Sequence, residues 1–219
     1  MLPYLTVPFK FTPEAWAWLL TFIAPIVDDY QKNAPAPSAL LNLTIDQIEE
    51  IKSSPAWPEI VAHSKKYNLS DPWPQLFVYK QLSAPRPFSQ GNPHIDTYGA
   101  DQIAETACIR FNILLKGEDT TEMSWWLHDR NSSLITVSQF QRPDLSWANR
   151  LQLDGDTIEQ RWAKLGPPDY CTNRLAQIQQ HASFVRTDIV HALNWTGNQP
   201  RVTLSFRYKE NWDIIEKFQ

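Results

Sequence analysis

Five short segments in the last two thirds of the chain alternate polar and apolar residues, and turn-forming residues separate them. These segments are residues 106–115, 121–128, 134–140, 184–193 and 201–208. An apolar segment at residues 76–79 is a sixth candidate strand. Several short alternating segments with turns between them predict a β-sandwich or β-barrel, in which each strand buries one face.

The segment between residues 143 and 181 is polar and interrupts the series of strands. We predict helices within it at residues 157–164 and 173–181. A connection of this length between strands is commonly a lid or a substrate-binding loop.

The first third of the chain predicts helices rather than strands. Thr12, Pro13 and Glu14 have the pattern of a helix start, with a capping hydroxyl, a proline at the first helical position and an early acid. Two further helices are predicted, one from residue 44 and one over 59–67. Residues 1–9 form an extended lead-in and residues 33–38 a Pro/Ala linker. We therefore divide the chain into an N-terminal helical region, 1–75, and a β core, 76–219, with a helical or loop insertion at 143–181.

Composition and charge limit the kinds of binding partner that we expect for this chain. The net charge is −4, and no cluster of basic residues is longer than Lys65-Lys66, so we expect neither a nucleic-acid groove nor an anionic-membrane surface. Residues 15–27 are apolar but too few to cross a bilayer. The two cysteines lack metal-site spacing and cannot form a disulfide framework, and no signal peptide is evident, which predicts a reducing, cytoplasmic setting.

Three residues have the types and spacing of a metal site. Alternate residues of a strand share a face, so His94 and Asp96 are expected to point the same way. His191, in a later alternating segment, could supply a third ligand. Two histidines and one carboxylate leave coordination positions open and suit Fe(II) that activates oxygen. His63, His128 and His181 are expected to be surface or hydrogen-bonded histidines.

The last alternating segment places polar residues on one face. These are Arg201, Thr203, Ser205 and Arg207. Guanidinium groups would be costly against a dry core but fit a cavity that binds a dicarboxylate, since arginine offers a planar fork to a carboxylate. Arg201, with the Thr203 hydroxyl, is the first candidate for that role, and Arg207 is its competitor.

In His94-Ile95-Asp96, His191 and, ten positions later, Arg201-Val202-Thr203, the chain resembles the Fe(II)/2-oxoglutarate-dependent oxygenases over about residues 76–208. The resemblance implies a mainly β fold, a double-stranded β-helix (jelly-roll, cupin-like) core with flanking helices. It implies Fe(II) held by the catalytic residues His94, Asp96 and His191, with 2-oxoglutarate and O2 as cosubstrates and succinate and CO2 as products.

The resemblance implies that Arg201 and Thr203 bind 2-oxoglutarate. Arg110 and Asn112, which share a strand face, are further candidates for contacts to the cosubstrate or the substrate, unless that face is simply solvated.

The substrate is less constrained than the cofactor. Tyr98, Arg86, Trp126 and Arg207, with the insertion around Trp147 and Trp162, are the candidate contacts. Aromatic walls with a few charges suit a small polar molecule, so hydroxylation of a free amino acid or similar metabolite is the first hypothesis. An oxygenase of a protein, peptide or nucleic acid is an alternative, as is a non-catalytic, metal-binding cupin-like protein. No feature assigns an oligomeric state.

Overall fold

Two six-stranded antiparallel sheets form the centre of the molecule. The computed structural model describes residues 1–33, 38–41, 43–70, 72–79, 92–96, 108–117, 121–141, 147–155, 157–172, 175–195 and 201–219. In spatial order, the first sheet contains β1 (Tyr4–Pro8), β10 (His181–Arg186), β5 (Ile109–Lys116), β12 (Arg201–Tyr208), β3 (Trp73–Tyr79) and β2 (Ser38–Leu41). The second contains β7 (Ile135–Gln141), β8 (Trp147–Leu153), β4 (His94–Ile95), β11 (Ile189–Trp195), β6 (Thr121–Asp129) and β9 (Tyr170–Thr172).

Helices cover the outer faces of the sheets. They are α1 (Pro13–Asn33), α2 (Ile45–Lys52), α3 (Ala56–Lys66), α4 (Ile158–Leu165) and α5 (Asp213–Glu216). The largest core lies between the first sheet and the N-terminal helices, where Leu19 and Ile60 belong to the same buried cluster as Phe111 and Phe206. No helix in the described part of the chain has the length and apolar character needed to cross a bilayer.

The two faces of strand β12 lie in different environments. Val202, Leu204, Phe206 and Tyr208 belong to the helix-facing core. The Tyr208 hydroxyl also lies 2.7 Å from the hydroxyl of Ser64 on α3, which ties the helix to the strand. The polar residues of β12 alternate with these and are buried on the opposite face, which looks toward the second sheet.

The predicted mainly β class with flanking helices is confirmed, and each of the predicted strand segments contains strand. The helix start at Pro13 and the helix near 157–164 are also found. The extended lead-in is strand β1, and β2 begins at the end of the predicted linker. The boundary at residue 75 stays a prediction.

Two secondary-structure predictions are wrong. The segment 184–193 is not one strand, because β10 and β11 belong to different sheets and the chain crosses between them at Thr187 and Asp188. Over 175–181, the described part of the helix predicted for 173–181, no helix is formed: residues 177–180 form a turn, with Gln179 at φ 53° and Gln177 paired with His181. A residue with positive φ ends helical geometry. Strand β8 also lies within the 143–181 segment.

His63 on α3 is a buried histidine with an apolar, aromatic environment. Its ring centroid lies 4.8 Å from that of Phe9, 4.9 Å from Phe111, 5.2 Å from Tyr67 and 6.0 Å from Phe184. Burial, assisted by the charge of Lys66, lowers the pKa of His63 to about 4. The imidazole is therefore neutral in the folded protein, and its charged form is disfavoured there.

We expect His63 to make stability depend on pH. Because its pKa is about 4 when folded and 6.5 when unfolded, the unfolded chain binds more protons between these values. Its contribution to the free energy of unfolding is complete above pH 6.5 and falls by about 3 kcal/mol as the pH is lowered to 4. Urea unfolding of the metal-free protein at several pH values should show that the free energy of unfolding falls more steeply with decreasing pH for the parent than for His63→Phe. Equal pH slopes for the two proteins would contradict this assignment.

Candidate metal centre

Three candidate ligands converge on the inner face of the second sheet. His94 on β4 and His191 on β11 are direct cross-strand partners, and their ring centroids are 4.6 Å apart. Asp96 follows β4, where its backbone N–H donates to the Thr187 carbonyl at 3.0 Å. The Nε2 atoms of His94 and His191 lie 3.4 Å and 4.0 Å from Oδ1 of Asp96. The potential ligand atoms of the three residues all lie within 4.8 Å of one another.

Backbone carbonyls orient both imidazoles. Nδ1 of His94 lies 2.8 Å from the Asn92 carbonyl oxygen, and Nδ1 of His191 lies 3.0 Å from that of Ile189. Assigning the proton to Nδ1 in each ring makes it the donor and leaves Nε2 with a free lone pair. Metal-binding histidines are held in this way, so both rings are arranged as ligands.

The protonation states also suit a cation. Burial, with a contribution from His94, lowers the pKa of His191 to about 4, so this imidazole is neutral, as metal binding requires. Burial alone would raise the pKa of Asp96. The charge of Arg110 outweighs this effect and holds the pKa of Asp96 well below its usual value. The site therefore presents two imidazole nitrogens and one carboxylate. This donor set fits Fe(II) with open coordination positions.

A narrow cavity of about 70 Å³ lies beside these ligands, between the two sheets. Its lining residues are Phe77, His94, Asp96, Arg110, Asn112, Met123, Leu175, Ala176, Val185, His191, Leu193, Arg201 and Thr203. Thr203 Oγ1 and Asn112 Oδ1 are buried and have no hydrogen-bond partner among the described residues. A buried polar atom without a partner is costly, so these two atoms are suited to bind a polar ligand in the cavity.

Arg201 is placed at this cavity as an oriented, buried cation. Its guanidinium carbon lies 5.7 Å from the ring centroid of Tyr79, its cross-strand partner on β3. Burial raises the pKa of Tyr79 to about 12, so the ring is a neutral phenol. The aromatic face carries no net charge, so it supports the cation without neutralising it.

Arg110 lines the cavity and also contacts a candidate metal ligand, and its role as a contact to the cosubstrate or the substrate stays a prediction. Its Nε donates to Oδ2 of Asp96, and its Nη1 donates to Gln75 Oε1 at 2.9 Å and to Ser205 Oγ at 3.3 Å. Arg207 donates through Nε to the same Gln75 oxygen at 2.7 Å. Gln75 was not predicted as part of the site, although a glutamine two residues before Phe77 in a strand would share its inward face.

The candidate substrate residues are only partly brought together. Trp126 lies on the outer face of the second sheet, where it packs on Trp162 of α4 at 4.8 Å and donates through Nε1 to the Gly166 carbonyl. Its neighbour Trp125, the cross-strand partner of His191, lies on the inner face with Met123. Trp126 and Trp162 therefore do not line the cavity. Tyr98 and Arg86 lie outside the described residues, as does the side chain of Trp147.

Six apolar lining residues were not predicted. They are Phe77, Met123, Leu175, Ala176, Val185 and Leu193. Leu193 was accessible to sequence reasoning, since it is two residues from His191 and shares its face. Leu175 and Ala176 come from the 143–181 segment and lie just before the turn that replaces the predicted helix.

No protein-family model matches the sequence, and no curated protein matches it significantly. Solved structures with a fold similar to that of this chain were found. HygX from Streptomyces hygroscopicus, solved with nickel and 2-oxoglutarate bound, aligns with a TM-score of 0.50 and 6% identity over 94% of this chain and 82% of that chain. EvdMO1 aligns with a TM-score of 0.50 and 14% identity over 95% of this chain and 47% of that chain.

The chain shares the fold of these two structures. A prolyl-4-hydroxylase from Pseudomonas putida aligns with a lower TM-score of 0.43 and 9% identity, over 95% of this chain and 93% of that chain. At such identities the likeness concerns the fold, and the two structures with a TM-score of 0.50 agree with the jelly-roll class that the family resemblance implied.

Proposed function

We propose that this protein is an Fe(II)- and 2-oxoglutarate-dependent dioxygenase that hydroxylates its substrate. The observation that carries the proposal is the clustering of His94, Asp96 and His191 ligand atoms within 4.8 Å, at a cavity that Arg201 and Thr203 also line. The shared fold with HygX, which was solved with nickel and 2-oxoglutarate, supports it.

Each of these residues has a role in the proposed reaction. His94, Asp96 and His191 would hold the iron, which when bound supplies the activation of O2 coupled to oxidation of 2-oxoglutarate to succinate and CO2. Arg201 would bind the distal carboxylate of 2-oxoglutarate through its planar fork, and Thr203 would donate a hydrogen bond to it. The apolar wall formed by Phe77 and Leu175 would exclude water from the cosubstrate.

We further propose that the substrate is a small polar molecule such as a free amino acid. The net charge of −4, with no cluster of basic residues longer than Lys65-Lys66, disfavours a nucleic-acid substrate and leaves a small polar molecule as the first candidate. Arg207 is the candidate for a contact to its charged group. A cytoplasmic, reducing setting is part of the proposal, since Cys108 and Cys171 are free thiols.

Succinate formation from 2-oxoglutarate tests the proposed reaction. Purified protein supplied with Fe(II), ascorbate and O2 should convert 2-oxoglutarate to succinate, and a panel of amino acids should include one that stimulates the conversion. A chelator should stop it. Protein that binds Fe(II) but consumes no 2-oxoglutarate with amino acids, peptides or nucleic acids would contradict the proposal and favour a non-catalytic metal-binding protein. Stimulation by peptides or nucleic acids alone would contradict only the substrate class.

A further inference from the structure

Arg110 connects the two sheets at the candidate metal centre. It lies on β5 of the first sheet, and its Nε donates to Oδ2 of Asp96, which follows β4 of the second sheet. Both residues are buried, with exposed fractions of 4% and 8%. The other oxygen of Asp96, Oδ1, is the one near Nε2 of both His94 and His191. The two carboxylate oxygens therefore have different surroundings.

Arg110 is itself held in a fixed orientation. Its Nη1 donates to Gln75 on β3 and to Ser205 on β12, and its guanidinium carbon lies 5.1 Å from the ring centroid of Phe77. Contacts from two neighbouring strands thus leave the guanidinium little freedom to turn. A planar donor that is fixed in this way can fix the carboxylate to which it donates.

We propose that Arg110 is a positioning residue that makes Asp96 a one-oxygen metal ligand. This inference rests on the proposed function, because it concerns the same metal centre. Arg110 occupies Oδ2, so only Oδ1 is directed toward the two imidazoles. A carboxylate free to turn could bind a metal through both oxygens and fill a position that a facial triad otherwise leaves open. Arg110 prevents this and keeps that position for the cosubstrates.

Arg207 provides a matched control. It is the direct cross-strand partner of Arg110 and donates to the same oxygen of Gln75, whereas the Nε of Arg110 reaches Asp96. Replacing either arginine with methionine removes one buried guanidinium and one hydrogen bond to Gln75. Only the change at position 110 also removes the contact to the metal carboxylate.

Titration with Co(II) alone, at one pH and without 2-oxoglutarate or substrate, tests the inference. Arg110→Met should lose roughly 10–100-fold in Co(II) affinity, the range typical for groups that hydrogen-bond metal ligands. It should also change the visible absorption of bound Co(II), because the intensity of that absorption depends on coordination number. Arg207→Met should change neither quantity. Thermal unfolding of the metal-free proteins checks that each variant is folded.

Arg110→Lys keeps the positive charge but loses the planar fork that reaches Asp96, Gln75 and Ser205 together, so it should bind Co(II) with an affinity between those of the parent and Arg110→Met. If Arg110→Met does not fold, the comparison of Arg110→Lys with the parent decides. Parent-like affinity and spectrum in the position-110 variants would overturn the inference, as would equal changes in Arg207→Met. A parent protein that binds neither Co(II) nor Fe(II) would instead contradict the proposed metal centre itself.

Discussion

His191→Ala should abolish Fe(II) binding and 2-oxoglutarate turnover. The imidazole is buried, neutral and oriented by the Ile189 carbonyl, so no other described side chain can take its place beside Asp96. We expect a loss greater than the roughly 100-fold typical of removing a group that only hydrogen-bonds a metal ligand. Equilibrium dialysis against Fe(II) under anaerobic conditions, followed by the succinate assay, measures both effects.

His181→Ala is the matched control for this substitution. His181 is exposed at the start of β10 in the other sheet, so its removal should leave iron binding and turnover unchanged. If His191→Ala retained one equivalent of Fe(II) and parent-like turnover, His191 would not be a ligand. Loss of iron in both variants would point to a general effect on the protein rather than to the metal centre.

Arg201→Ala should weaken 2-oxoglutarate binding without removing the metal. Hydrogen bonds to charged groups contribute about 1.5–3 kcal/mol, so loss of the guanidinium should raise the KM for 2-oxoglutarate by roughly 10–150-fold. The affinity for Fe(II) alone should stay at the parent value, because Arg201 lies over Tyr79 and its guanidinium makes no ion pair with Asp96 among the described contacts. Initial rates of succinate formation at increasing 2-oxoglutarate concentrations give this KM.

Arg207→Ala distinguishes the two arginines of β12. Arg207 is six residues further along the strand and donates to Gln75, so its loss should not raise the KM for 2-oxoglutarate to the same extent. A large increase in KM for Arg207→Ala, with a normal value for Arg201→Ala, would exchange the two roles.

The sequence was sufficient to predict which candidate site residues share a face within each strand. His94 and Asp96 are two positions apart, and Arg201 and Thr203 are two positions apart, so the period of a strand places each pair on one side. The structure brings these pairs and His191 to one cavity. The order of polar and apolar residues along β12 likewise predicts which of its residues share a face. In the structure its apolar residues pack on the helices.

Contacts between sheets could not be predicted in the same way. Alternation gives the face on which Arg110 lies but not its partner, because Asp96 belongs to the other sheet and only the packed structure brings them together. The same limit explains Trp125 and Trp126. Adjacent residues of a strand point to opposite sides, and the pairing of Trp125 with His191 decides which tryptophan faces inward. The crossing of the chain from one sheet to the other at Thr187 is likewise a tertiary feature. The spacing of polar and apolar residues does not predict it.

Calorimetric titration of 2-oxoglutarate into the protein, with and without Fe(II) under anaerobic conditions, tests the central claim most directly. If His94, Asp96 and His191 hold the iron beside Arg201, one 2-oxoglutarate should bind per chain when one equivalent of Fe(II) is present. Binding should be lost after treatment with a chelator and in His191→Ala. A protein that binds Fe(II) but no 2-oxoglutarate, or that binds 2-oxoglutarate equally well without metal, would contradict the account.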